Sequence, residues 1–393
     1  MRNSFNLIIC VLAVFVFFQS CNSKSTQNLQ YSAEVLDSIF DNYLVDEANL
    51  FRETYPFNAE HKATYLASED HERKPQFSYL WPFSGSLSAL SALYEETEDS
   101  KYLQTLDSIV LPGLEMYYDT RREPAAYASY IKTAPLSDRF YDDNIWLGID
   151  FTDLYLSTGQ NRFLEKAIEI AHFVESGEDT LLGGGIYWCE QNRNGKNTCS
   201  NAPGAVFALK LFEATKDSSY FYKGKELYEW TKLNLQDKND FLYYDNKKLN
   251  GYVDETKYAY NSGQMLQSAA ILYKLTKDST FLVEAQKIAA SGYQYFFHEF
   301  KSEDGRNIRL LNKGNVWFTA VMLRGYIELY QIDQNKTYLD AFQKNLDRAW
   351  IYMRDAENGL FNKDWSGKEK EDSKWLLTQF AMVEMYARMN SVK

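Results

Sequence analysis

The chain has 393 residues, 45% of them hydrophobic, and a formal charge of -12 at pH 7. A chain of that length buries a large core and forms either two ordinary domains or one large repetitive one. Its acidic balance excludes a nucleic-acid partner, because binding a phosphate backbone needs a basic patch that displaces counterions. Seven prolines against eight Trp, 30 Tyr and 25 Phe describe an ordered chain whose aromatic side chains are mainly core.

The N-terminus reads as a leader. Met1, Arg2 and Asn3 precede an apolar run from Leu7 to Phe18, too short to span a membrane and the right length for a signal h-region. Gln19, Ser20 and Cys21 follow, then the polar stretch NSKSTQN. A cysteine placed there resembles a bacterial lipoprotein processing site. Residues 1–20 are accordingly read as a signal peptide, Cys21 as the lipidated mature N-terminus, 21–30 as a tether and 31–393 as one catalytic domain. The expected location is the cell envelope, on its periplasmic face or at the cell surface, with membrane contact only through the lipid on Cys21. An ordinary secretory peptide with an incidental cysteine is the alternative. Cys10 leaves with the leader, so Cys189 and Cys199 remain, either paired across a tight hairpin or as two buried thiols.

Beyond the leader a segment recurs: EDSKYLQTLDSIV, GQNRFLEKAIEIAHFV, KDSSYFYKGKELYEW, KDSTFLVEAQKIAAS and QNKTYLDAFQKNLDRAW. Aligning Leu103, Leu164, Tyr222, Leu282 and Leu339 gives steps of 61, 58, 60 and 57 residues. Each copy opens on a capping residue and continues with apolar side chains three and four apart, which predicts an amphipathic helix. Each is preceded by a more uniformly apolar helix, as in YLWPFSGSLSALSALYEET, DDNIWLGIDFTDLYLSTG or AYNSGQMLQSAAILYKLTK, suited to burial on two sides. A first helix near Tyr31 to Phe51 and a last one in SKWLLTQFAMVEMYARM complete six pairs. The prediction is an all-α (α/α)6 toroid with the inner-helix N-termini on one face, an open helical solenoid being the alternative. Longer, variable loops lead into the inner helices, so the functional face should be theirs. One of them, GGGIYWCEQNRNGKNTCSN at 183–201, reads as a β-hairpin insertion around an RNGK turn.

YDDNIW opens the second inner helix with Asp142 and Asp143 side by side. One carboxylate there would be a cap that compensates the helix dipole. Consecutive helix residues point about 100° apart, so the second must face the cleft. Glycoside hydrolysis uses two carboxyl groups, about 5–5.5 Å apart for retention and about 6.5–9.5 Å for inversion. Adjacent side chains lean towards the shorter figure. Mutual repulsion would raise one pKa for an acid while the helix terminus keeps the other ionised. The same mouth carries Asn144, and other inner-helix mouths carry Trp81, Asn201, Tyr260 with Asn261, Asn315 with Trp317, and Trp375. Aromatic faces and amides of this kind suit sugar rings and hydroxyls; each alone is more often core or cap, and their recurrence in register is the stronger evidence. Trp188 on the hairpin is either a subsite wall or packing on its own loop. Four histidines, His61, His71, His172 and His298, stand in no metal-ligand spacing, and neither GxSxG nor a phosphate-binding glycine loop occurs. Neither metal nor cofactor is expected.

YLWPFSG at 79–85, YDDNIW at 141–146, GGGIYW with KNTCSNAPG within 183–204, and YNSGQML at 260–266 together resemble the glycoside hydrolase family 76 α-1,6-mannanases. The resemblance implies an (α/α)6 fold and endo-acting, retaining hydrolysis of α-1,6-mannosidic linkages, without a cofactor and in a monomer acting on α-mannan or its oligosaccharides. It implies Asp142 as nucleophile and Asp143 as acid/base. One local departure, Leu147, Gly148 and Ile149 after Trp146, bears on subsite shape. The rival readings are a non-catalytic glycan-binding surface lipoprotein, which has no use for two adjacent carboxylates, and a toroid hydrolase acting on another glycan.

Overall fold

The computed structural model describes residue 24, residues 26–67 and residues 74–392. The leader, Cys21 and His71 lie outside the described residues. Among the described residues twelve helices form six antiparallel pairs. The inner helices are Leu80–Thr97, Tyr141–Thr158, Thr198–Thr215, Ala259–Thr276, Val316–Asp333 and Leu376–Arg388. Each packs on the next, and the sixth packs on the first to close the ring. Outside them lie a first helix over residues 26–43, a second that begins at Ser100–Thr105 and passes through a π turn at Leu106–Val110, and the helices Asn161–Glu175, Ser218–Leu235, Ser279–Tyr295 and Thr337–Tyr352. The predicted toroid is present. Among the described residues no helix is long and apolar enough to cross a membrane.

The tight inner-to-outer connections follow from a few residues. Thr97, Thr158, Thr215 and Thr276 each return their hydroxyl to the carbonyl four residues back and accept the amide two residues on. The residue after each threonine is left-handed: Glu98, Gly159, Lys216 and Lys277. Asp99, Asp217 and Asp278 then cap the outer helices. Inside the ring, small residues let the inner helices touch. A Cβ on Gly325 would lie 2.4 Å from the carbonyl oxygen of Gly263.

Two expectations are corrected. The first helix stops at residue 43 and not near Phe51, because Leu44–Val45 pairs with Leu50–Phe51 across a short 3-10 turn ended by left-handed Asn49. Leu50 and Phe51 thereby enter the core. The hairpin turns at Glu190–Gln191 and not at RNGK, which lies inside the strand Asn192–Asn197. Arg139 pins that turn: its guanidinium grips the Glu190 carboxylate, its carbonyl accepts the Glu190 amide, and its own N–H donates to Gln191 Oε1 at 2.8 Å. The hairpin is also half of something larger, a four-stranded antiparallel sheet in the order Tyr187–Cys189, Asn192–Asn197, Tyr244–Lys248, Val253–Lys257. At Gly195 an added Cβ would meet the Lys247 carbonyl oxygen at 2.9 Å, so the second and third strands approach where no side chain stands between them.

A polar residue at the fourth position of several inner helices ties the incoming chain to the helix mouth. Asn201 Oδ1 accepts Ile186 N–H at 2.7 Å, and its Nδ2 donates to the carbonyls of Ile186 and Asn197 at 2.9 and 2.8 Å. Asn144 makes the same three bonds with Tyr127 and Phe140, and Gln379 with Phe361 and Trp375. Ser262 accepts Tyr243 N–H in the corresponding place. Replacing Asn201 by Ala strands both backbone groups of Ile186, each worth about 1–3 kcal/mol when buried and unpaired. Chemical denaturation of Asn201→Ala is expected to show a loss of at least that size, and a midpoint equal to wild type would refute the brace.

Candidate active site

The inner-helix mouths and the sheet enclose a cleft of about 380 Å3. Asp142 and Asp143 project into it from the first turn of the second inner helix, alongside Trp188 from the hairpin, Cys199 from the third inner helix, Tyr260 from the fourth, Trp317 and Phe318 from the fifth and Trp81 from the first. The sequence-predicted Trp81, Trp188, Tyr260 and Trp317 thus meet around the aspartate pair. Trp146, one turn below it, meets Trp317 edge-on at 4.9 Å, and Tyr260 stacks on Phe318 at 4.0 Å. The indole N–H of Trp81 is buried there with no hydrogen-bond partner among the described residues.

The two aspartates differ in their surroundings. Asp142 is 9% exposed. Its Oδ1 accepts the Asp143 backbone N–H at 3.0 Å, meeting a first-turn amide, and its Oδ2 accepts the Trp188 indole N–H at 3.1 Å. Burial pushes its carboxyl up to about 7, against the opposing pull of the Cys199 thiol and these two N–H donors. Asp143 is half-buried. Burial and then the charge of Asp142 beside it push its carboxyl well above the ordinary range. The pair therefore titrates jointly, with the proton held more firmly on Asp143, whose anion lacks the donors that serve Asp142.

Three predicted sugar contacts are corrected. Asn144 and Asn201 are fully buried and bonded throughout to backbone, so they brace helix mouths and do not reach the cleft. Asn261, fully buried behind the wall, directs its Nδ2 to Asp245 Oδ1 at 3.5 Å. Asn315 caps the fifth inner helix by accepting Trp317 N–H, and Trp375 lines an adjoining cavity. Cys189 and Cys199 are both buried free thiols. Sequence reasoning missed Asp245, Tyr65, Tyr258 and Phe318 as lining residues, and gave Cys199 no part. Asp245 and Tyr258 arrive with the third and fourth strands, whose pairing has no local signature. Cys199 stands two residues before Asn201 in a motif already singled out. Among the described residues no group of three or more His, Cys, Asp or Glu could hold a metal ion.

Two adjacent carboxyl groups of unequal basicity in an aromatic cleft make this a glycosidase-type site on a helical toroid. The family model for glycosyl hydrolase family 76 matches residues 49–392, and the chain belongs to that family. Among solved structures it is similar to the family 76 mannosidase Bt3792 of Bacteroides thetaiotaomicron VPI-5482, at 31% identity and a TM-score of 0.83, over 93% of this chain and 98% of that one. A family 76 glycoside hydrolase from a bovine Bacteroides thetaiotaomicron strain matches at 31% identity and a TM-score of 0.82, over 92% and 77% of the two chains. The fold is shared too with an α-1,6-mannanase of Salegentibacter sp. HEL1_6, solved as an inactive double Asp-to-Asn variant with α-1,6-mannotriose, at 22% identity and a TM-score of 0.75, over 93% and 100%. No curated protein matches the chain in sequence.

The buried pair has a measurable consequence for stability. Burial raises the Asp142 carboxyl to about 7 in the native protein, against about 4 when unfolded. Between those values the native state binds the extra proton, so the Asp142 contribution is fully present below about pH 4 and is lost as pH rises through about 7. The Tm of Asp142→Asn is expected to fall less steeply than wild type across that window. Parallel curves would contradict the burial of this carboxyl.

Proposed function

We propose that the chain is a retaining endo-α-1,6-mannanase acting on α-mannan or its oligosaccharides. The observation that carries this reading is the unequal environment of the two adjacent aspartates. Asp142, served by three donors, is the better anion and attacks C1 of the mannosyl unit. Asp143, held protonated, gives its proton to the departing glycosidic oxygen. The C1–O bond breaks as the ester bond to Asp142 forms. In the second half Asp143, now a carboxylate, takes a proton from water as that water attacks C1, and Asp142 leaves as carboxylate. The Trp188 and Cys199 contacts hold the Asp142 carboxylate in orientation during both displacements. The free indole N–H of Trp81 and the faces of Trp317 and Tyr260 are suited to hydroxyls and C–H surfaces of the bound sugar.

Support for mannan comes from the family and from the mannosidase relative at 31% identity. The α-1,6 linkage is supported by the sequence resemblance and by the ligand of the Salegentibacter protein. Internal cleavage is favoured because the cleft shares Thr64 and Tyr65 with a second cavity of about 470 Å3, leaving room for chain beyond one sugar. The proposal includes attachment to the cell envelope through lipid on Cys21, on the strength of the leader motif. A Cys21→Ala protein is expected to leave the membrane fraction and to lose metabolic labelling by fatty acid.

Asp142→Asn and Asp143→Asn are each expected to lower kcat on linear α-1,6-mannan by about 10²–10⁴-fold with unchanged circular dichroism. NMR of the wild-type reaction is expected to show the α anomer first. Binding of mannan without release of reducing ends, by wild type, would favour the glycan-binding reading instead, and a β anomer first would overturn retention.

A further inference from the structure

We propose that Glu53 is a positioning residue for the glycan: its ionised carboxylate fixes the aromatic wall between the catalytic cleft and the adjoining cavity, and its protonation loosens that wall. This rests on the mannan reading of the cleft.

Glu53 lies in the segment that follows the first outer helix and is 2% exposed. Three donors from three parts of the chain converge on it. The Tyr65 hydroxyl donates to Oε1 at 2.7 Å, the Trp375 indole N–H donates to the same oxygen at 2.6 Å, and the Tyr79 backbone N–H donates to Oε2 at 2.9 Å. Tyr79 precedes the first inner helix and Trp375 the sixth, so this carboxylate ties the two helix mouths where the ring closes. The strand Lys374–Trp375 pairs with Thr54–Tyr55 at the same seam.

What Glu53 holds is what a glycan would touch. Tyr65 lines both cavities, Trp81 the catalytic cleft and Trp375 the adjoining one. Their rings form a triangle with centroid separations of 5.1, 5.4 and 5.7 Å. Burial raises the Tyr65 hydroxyl well above its usual range, and the charges of Glu53 and Asp143 add to that; Tyr65 bonds to Glu53 and lines the same cleft as Asp143.

An ionised carboxylate only accepts, and three donors face it. A protonated one is a weaker acceptor and carries an O–H of its own, which of the three partners only the Tyr65 hydroxyl can accept, by reversing its bond, while the Trp375 and Tyr79 N–H groups keep a poorer acceptor. Burial raises the Glu53 carboxyl to about 7 while the three donors pull it down, so both states occur near neutral pH. The other titratable groups around it are the Tyr65 phenol, the Tyr117 phenol, the Tyr79 phenol packed on Tyr65, and His61, whose Nε2 is 4.0 Å from Oε1. Burial lowers the His61 pKa, which disfavours its charged form beside Glu53. The wall is accordingly set above about pH 7 and loosened below it.

The test uses the mature chain and α-1,6-manno-oligosaccharides. At pH 8, Glu53→Gln is expected to raise KM by about fivefold to tenfold, the loss of roughly one net hydrogen bond, with a much smaller effect on kcat; the wild-type KM is expected to rise on acidification and that of Glu53→Gln is not. Tyr65→Phe, which keeps the ring and deletes one donor, is expected to raise KM less. The Trp375 indole ¹H–¹⁵N resonance, assigned with Trp375→Phe, is expected to titrate near neutral pH in wild type and not in Glu53→Gln. An unchanged KM in Glu53→Gln, a loss in kcat alone, or a Trp375 resonance that titrates identically in both proteins overturns the inference. Should Glu53→Gln not fold, Tyr65→Phe kinetics and the wild-type titration decide by the same criteria. If wild type neither binds nor cleaves α-1,6-mannan, the mannan reading fails, and the indole titration still reports on the hub by itself.

Discussion

Closing six helical hairpins into a ring brings six helix N-termini to one face, and every one of them presents first-turn amides that need acceptors. Only Asn315 meets this with an ordinary side-chain cap among the inner helices. Elsewhere the incoming chain is held by Asn144, Asn201, Ser262 or Gln379 from the fourth helical residue, and Asp142 takes the amide of Asp143. The face is positively polarised by six helix dipoles. That polarity is what makes two carboxyl groups tolerable in a cleft walled by indole and phenol rings.

The opposite end of the barrel has the complementary character. Lys274 and Arg388, in the last turns of their inner helices, pair with Glu328 and Glu95, and Lys210 and Arg324, further from the helix ends, pair with Asp153 and Glu384. Cations near helix C-termini oppose the local negative potential, and the acidic partners are held close by them, the Glu384 carboxyl down to about 2. Burial raises the acids at the mouth, and ion pairing lowers this one at the base. Ion pairing does not win everywhere at that end: burial raises the Glu95 carboxyl despite Arg388, and that of Asp150 to about 7 despite Arg324. Reaction and rigidity occupy different ends.

Much of the scaffold was legible because it repeats. The capping residue and the apolar spacing that open each outer-helix segment are local signals, and the period of about sixty residues follows from aligning those segments. The aspartate pair was legible because two adjacent carboxylates exceed what one helix start needs. The amides were read less well. Asn144 and Asn201 stand at the mouths as expected, yet their bonds go to backbone, since a buried loop must satisfy its own N–H and carbonyl groups before any ligand arrives. A sequence shows an amide near a cleft but not which way its hydrogen bonds run.

The sequence by itself determined the six helix pairs, the face that carries the chemistry and the two aspartates, because capping, periodicity and adjacent charge act within a few residues. Only the tertiary structure decided which aspartate is served by donors, since Trp188 and Cys199 reach Asp142 from 46 and 57 residues away along the chain. It alone placed Asp245 in the cleft through strand pairing, moved the hairpin turn to where Arg139 grips Glu190, and gathered Tyr65, Tyr79 and Trp375 on Glu53. Each of these is a contact between distant segments that becomes definite only when the ring closes.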